Sequence, residues 1–164
     1  MSNAKGKLIV LEGLDGSGKS VQFGLLSDYL LKNDYPLMTV DFPDYQGSFF
    51  GRLVGRYLNG EFGDVYEVNP YVSSLLYAGD RMESQPKLAG WLAEGRFVLA
   101  NRFVGSNMAY HSAKLPPEQR SDFIAWLKRL EFEANRLPVP DLVIYLNASA
   151  ATSHRMVAQK AARV

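Results

Sequence analysis

The eight residues Gly13-Leu14-Asp15-Gly16-Ser17-Gly18-Lys19-Ser20 constrain this chain more than any others. They have the form Gly, four residues, Gly-Lys-Ser, the spacing of a loop that wraps a polyphosphate between a strand and a helix. Lys7–Glu12 (KLIVLE) reads as the buried strand before the loop, and Val21–Lys32 as the amphipathic helix after it. Gly13, Gly16 and Gly18 let backbone N–H groups converge on an anion with no side chain in the way. The helix start adds unpaired N–H donors and a positive dipole end, placing Ser17 and Val21 in the cradle. Lys19 is suited to the β- and γ-phosphates, and the Ser20 hydroxyl to Mg²⁺. The implied ligand is a nucleoside triphosphate. The competing reading is a glycine-rich turn that binds nothing.

The remainder of the 164 residues alternates between strand and helix patterns, with no internal repeat or linker. Further strands are expected at Tyr35–Phe42, Arg96–Asn101 and Asp141–Asn147. Helices are expected at Gly18–Lys32, Ser48–Leu58, Pro70 to about Glu83, Pro86–Ala93, Ser106–Ser112, Pro117 to about Arg136, and Ala150–Ala162. Continuous apolar strands between helices predict an α/β fold: one three-layer domain over residues 1–164 with a parallel sheet covered on both faces. Ligands of such sheets bind beyond the carboxyl ends of the strands. That draws attention to Glu12, Phe42, Asn101, Arg102 and Asn147.

Composition narrows the options. A net charge of +1 provides no basic surplus for nucleic acid or an anionic membrane. The absence of cysteine excludes disulfides, thiol catalysis and zinc–cysteine sites, and is compatible with the expected cytoplasmic location. No stretch has the length of a membrane span, and the polar start MSNAKGK lacks the apolar run of a signal peptide.

Several segments together resemble the thymidylate kinase family of nucleoside monophosphate kinases: LEGLDGSGKS (11–20), FPDY (42–45), GRLVGRYLNGEFG (51–63), LLYAGDRMES (75–84), NRFVGSNMAYH (101–111) and PDLVIYLN (140–147). The resemblance implies a P-loop kinase fold and transfer of the ATP γ-phosphoryl to thymidine monophosphate, with Mg²⁺. It implies that Asp15 holds the 3′-hydroxyl of the acceptor sugar, and that Phe42 lines the base pocket. Tyr77 is similar to a ring that stacks on thymine, Arg81 to an arginine at the base edge, and Arg102 to an arginine on the acceptor phosphate. Tyr110 resembles an aromatic residue under the sugar. Ser106 and His111 sit where neighbouring polar contacts occur, and a homodimer is implied. Arg155 is the candidate lid arginine, and Glu12 a candidate for the Mg²⁺ shell.

Three departures accompany the resemblance. Asn101 stands where the family usually has aspartate. The arginine that often follows the second strand is matched by Tyr45, with Arg52 as the candidate substitute. The chain stops in a helix bearing Arg155, Lys160 and Arg163, so the lid and last strand are expected to be missing. Two rivals stay open: a deoxynucleoside kinase, for which Glu12 is the best-placed base, and a nucleotide-binding relative that does not catalyse. A signalling GTPase is disfavoured, since no Asn-Lys-x-Asp pattern occurs. Arg129 and Arg136 are expected either on a solvated face or in pairs with Glu131 and Glu133.

Overall fold

The structure is a computed structural model that describes residues 5–161; the polar first residues, Ala162 and Arg163 lie outside the described part. Four strands, β1 (Lys7–Gly13), β2 (Leu37–Asp41), β3 (Phe97–Asn101) and β4 (Leu142–Leu146), form one parallel sheet in the order β2-β3-β1-β4. Val10 lies level with Ala100 of β3 and Val143 of β4. The ends of β1 and β3 therefore open side by side, and the loops after them form one site.

Leu8, Val10, Val40, Val98 and Ala100 point to one face and form a core with Leu88, Leu92, Phe103 and Val104. Six helices, α1 (Lys19–Lys32), α2 (Phe49–Leu58), α3 (Pro70–Ala93), α4 (Val104–Ser112), α5 (Pro117–Lys128) and α6 (Ala150–Ala161), connect and flank the strands. Their starts follow local chemistry. The Ser48 hydroxyl accepts from Gly51 N at 2.6 Å to cap α2, and the Asn69 side chain accepts from Tyr71 N at 2.9 Å to cap α3.

Three expectations are corrected. The helices expected on either side of Gln85 are one 24-residue helix with Pro86 inside it. An internal proline costs about 3 kcal/mol, whereas full burial of Leu88 and near-full burial of Leu92 contribute about 1.5–3 kcal/mol each. The helix expected to run from Pro117 to Arg136 is α until Lys128 and π-helical over Arg129–Ala134, where Asn135 N reaches back five residues to Leu130 O at 2.9 Å. Glu131, offered as a partner for Arg129 and Arg136, is instead fully buried in that π turn, in line with Phe123 and Leu127, and pairs with Arg81.

The sheet's two flanks differ. In α1, only Leu30 among the apolar residues is buried, while Val21, Leu25, Tyr29 and Leu31 are exposed. Edge strand β4 likewise exposes Leu142, Val143 and Tyr145. No helix of the described residues is long and apolar enough to cross a membrane.

Candidate active site

The loop Leu14–Gly18 turns tightly between β1 and α1, with Gly16 and Gly18 at φ 75° and 89°. Those angles favour glycine. Gly18 is also the N-cap of α1, and a Cβ there would meet nothing within 4 Å, so the approach to the helix start is open. Lys19 folds inward: its ammonium donates to Gly13 O at 2.9 Å and Leu14 O at 2.7 Å. Burial, then the nearby Arg102, pulls its pKa below the usual lysine range. Ser17 Oγ is buried without a hydrogen-bond partner among the described residues. Ser20 and Val21 are exposed on the first turn of α1. The start of α6 abuts this loop, with Ser153 Oγ donating to Asp15 O.

Arg102 follows β3 with φ 64°, a left-handed conformation uncommon for a residue with a side chain. Its backbone N–H donates to Leu11 O at 2.9 Å, and its guanidinium pairs with Asp15 and donates to Ser106 Oγ at 3.0 Å. It also lies 5.4 Å from the Tyr110 ring centroid. Asp15, Arg102, Ser106 and Tyr110 thus meet at the mouth of one cleft of about 570 Å³. Burial opposes the Arg102 charge, but Asp15 and Tyr110 outweigh it and the net shift is upward.

The cleft runs from there past Phe42, Tyr77, Arg81 and His111. Phe42 packs on Phe103 with centroids 5.8 Å apart. Tyr77 is half-buried and meets the His111 ring edge-on at 5.0 Å; burial raises its pKa. Arg81 is held from behind by Glu131, whose carboxylate receives Nε at 3.1 Å and also Nη2. Asn107 donates to Ser74 O at 3.2 Å and Glu131 at 3.3 Å, which fixes its amide. Its Oδ1 and His111 Nε2 have no partner among the described residues. His111 Nδ1 lies 3.2 Å from Asn107 O, so Nδ1 carries the proton and Nε2 is an acceptor. Burial lowers the His111 pKa to about 4.

Other expected residues lie elsewhere. Both oxygens of Glu12 receive bonds from α4: Phe103 N at 2.9 Å and Ser106 N at 3.0 Å on one, Ser106 Oγ at 2.6 Å on the other. That is an anchor for a helix start. Arg52 donates to Gln46 O at 3.1 Å and is not a cleft residue. Arg155 is exposed on α6, also outside the cleft lining. Tyr45 lines the cleft but provides no cation. Asn101 donates to Asp41 at 2.6 Å, so the amide accommodates a carboxylate that an aspartate would repel.

Besides Asn107, three contributors were missed in the sequence. Glu131 continues the four-residue spacing Phe123, Leu127, Glu131, so an acid on an apolar stripe was the available signal. Asp80 is fully buried and holds Ser48 Oγ and Asp44 N, fixing the loop after β2; burial raises its pKa. Lys114 lines the cleft, and no motif marked it.

A family model for thymidylate kinase matches residues 11–163. The chain belongs to the thymidylate kinase family. It is 33% identical over 143 residues to thymidylate kinase of Mycobacterium tuberculosis, covering 87% of this chain and 66% of that one. It is 32% identical over 143 residues to the Plasmodium falciparum enzyme, covering 87% and 62%. A solved structure of thymidylate kinase from Candida albicans superposes with a TM-score of 0.75 at 29% identity, covering 94% of this chain and 68% of that one. The chain therefore spans about two thirds of the length of the relatives it matches.

The family implies ATP and Mg²⁺, and the donor set can be judged against them. The open helix start, the inward Lys19 and the unpartnered Ser17 Oγ fit a triphosphate. No group of three His, Cys, Asp or Glu among the described residues has metal-binding geometry. A cation would share Ser20 with phosphate oxygens, and Glu12, engaged by α4, does not fit as a direct ligand.

Proposed function

We propose that this protein is a nucleoside monophosphate kinase that moves the γ-phosphoryl group of ATP onto thymidine monophosphate. The observation that carries it is the single cleft that joins Asp15 and Arg102, beside the phosphate loop, to a half-buried aromatic wall with hydrogen-bonding groups at its base end. An oxygen of the acceptor phosphate attacks the γ-phosphorus, and the bond to the β–γ bridging oxygen breaks, leaving ADP and the diphosphate. The acceptor is already an anion, so no strong base is needed; positioning and charge neutralisation dominate. Lys19 and the loop amides hold the triphosphate. Arg102 turns from Asp15 toward the acceptor phosphate, which frees Asp15 for the sugar hydroxyl. Ser20 would hold Mg²⁺, which would supply further charge neutralisation when bound. Tyr77 stacks on the base, and Arg81 and Asn107 face its edge with one donor group and one acceptor.

The deoxynucleoside kinase reading is disfavoured by Glu12, whose oxygens are engaged by α4. Arg155 on a lid, a homodimer and a cytoplasmic location belong to the same proposal. Val72 and Leu75, exposed on α3, support a dimer face, whereas Phe123 and Leu127 of α5 are core. A coupled ADP-release assay tests the function with thymidine, dTMP, dUMP, dCMP and dGMP as acceptors. Turnover with dTMP and none with thymidine is expected. Equal turnover with thymidine, or none with any monophosphate, would overturn it.

A further inference from the structure

Lys114 comes just after α4 and has no place in the phosphate chemistry. Its ammonium donates to the Val65 carbonyl and, at 2.7 Å, to the Tyr57 hydroxyl, and it lies 5.4 Å from the Tyr57 ring centroid. The Tyr57 hydroxyl donates to the same Val65 carbonyl at 2.9 Å. Groups from α2, from the 59–69 loop and from the end of α4 thus meet at one carbonyl. No acidic side chain of the described residues forms an ion pair with Lys114. Its charge is directed at the loop backbone instead.

The loop needs such a hold. Its other bonds near Val65 are short-range, such as Glu67 N to Asp64 O at 2.9 Å and Tyr66 N to Asp64 Oδ1 at 2.7 Å. Tyr66 is 83% exposed, while Tyr57 beneath it is 2% exposed. Tyr57, Leu58, Val65, Tyr66 and Lys114 all line the cleft. Ser106, bonded to Arg102, marks the opposite end of the cleft, at the start of α4, whereas Lys114 follows its end.

We propose that Lys114 is a positioning residue for the acceptor: it staples the 59–69 loop in place as the far wall of the cleft and so limits which bases fit. This rests on the kinase reading above. A hydrogen bond from a charged donor is roughly twice as strong as a neutral one, so losing Lys114 leaves the weaker Tyr57 bond to hold Val65. The acceptor must then order the wall as it binds, and its affinity falls. Phosphoryl transfer happens at the other end and is unaffected once the acceptor is seated.

The test uses Lys114→Met, which keeps an unbranched stem of similar length, with Lys114→Arg and Tyr57→Phe as companions. Hydrogen exchange on the protein alone reads the staple directly: amides at 65–67 should exchange about tenfold faster in Lys114→Met and near the parent rate in Lys114→Arg. In steady-state assays Lys114→Met should raise KM for dTMP about tenfold with kcat within about twofold, and narrow the preference for dTMP over dGMP. Lys114→Arg should restore most of the affinity, and Tyr57→Phe should show a smaller rise of about threefold. Unchanged exchange in Lys114→Met would overturn the staple whatever the enzyme does. Faster exchange with unchanged KM, or an equal fall in kcat, would overturn the positioning role. A parent protein without dTMP-dependent turnover would overturn the acceptor role together with the kinase reading, and the exchange result separates that failure from one at Lys114.

Discussion

Arg81 and Arg102 line the same cleft and each pairs with a carboxylate, yet their surroundings differ sharply. The Arg81 and Glu131 side chains are 3% and 0% exposed, while Arg102 and Asp15 are 17% and 68% exposed. A buried pair is held because separating it would strand a charge away from water. A pair with one partner in solvent can open and exchange that partner for a ligand at little cost. The Arg81 end of the cleft is therefore a fixed frame, and the Arg102 end, beside the loop after β1, is adjustable. The adjustable end also carries the left-handed backbone of Arg102, where strain has a local purpose in aiming a guanidinium.

The largest effect expected from breaking this contrast is at the frame. Arg81→Met leaves Glu131 buried without its cation and should cost about 3–5 kcal/mol in urea unfolding. Replacing Glu131 by methionine as well should return most of that loss. A single variant within about 1 kcal/mol of the parent would mean that Glu131 is not held as described.

His111 lies on the frame side, against Tyr77, and adds a pH test. An unfolded imidazole takes up its proton near pH 6.5, and the folded one only near 4. Stability from this group is complete above the first value and is lost as pH falls through the interval, by about 3 kcal/mol at most. Replacing His111 with glutamine should flatten that part of the acid limb relative to the parent. Parallel acid limbs would contradict the burial account.

The smallest stability effect is expected at the adjustable end. Asp15→Asn should change the unfolding free energy by less than about 1 kcal/mol, because Asp15 is mostly exposed. The same variant should raise KM for dTMP. A large stability loss would show that the Asp15–Arg102 pair is as structural as the other.

The contrast also explains how far the sequence could be read. The shape of the loop after β1, the strand ends and the place of Arg102 were legible because they depend on local spacing and on the carboxyl edge of a parallel sheet. Arg81 was expected at the base edge, but its partner was not. Its helix offers acids nearby at Asp80 and Glu83, and the actual partner lies 50 residues away. The π turn that brings Glu131 inward has no periodicity signature. The bonds of Glu12 to α4 were hidden for a similar reason. Its place at the end of β1 was readable, but its bonds to Phe103 N and Ser106 N depend on how β3 leads into α4. The amphipathic pattern of α1 marked an apolar face, yet Val21, Leu25 and Tyr29 are exposed. Periodicity identifies a face and does not say what covers it.

Every proposed role in the cleft depends on the loop after β1 gripping a triphosphate through Lys19. Calorimetric titration of ATP into the parent protein and Lys19→Ala measures that grip directly. The account predicts at least about a tenfold weaker Kd in the variant, the loss of a charge-assisted contact. Equal affinity in the two proteins would contradict it.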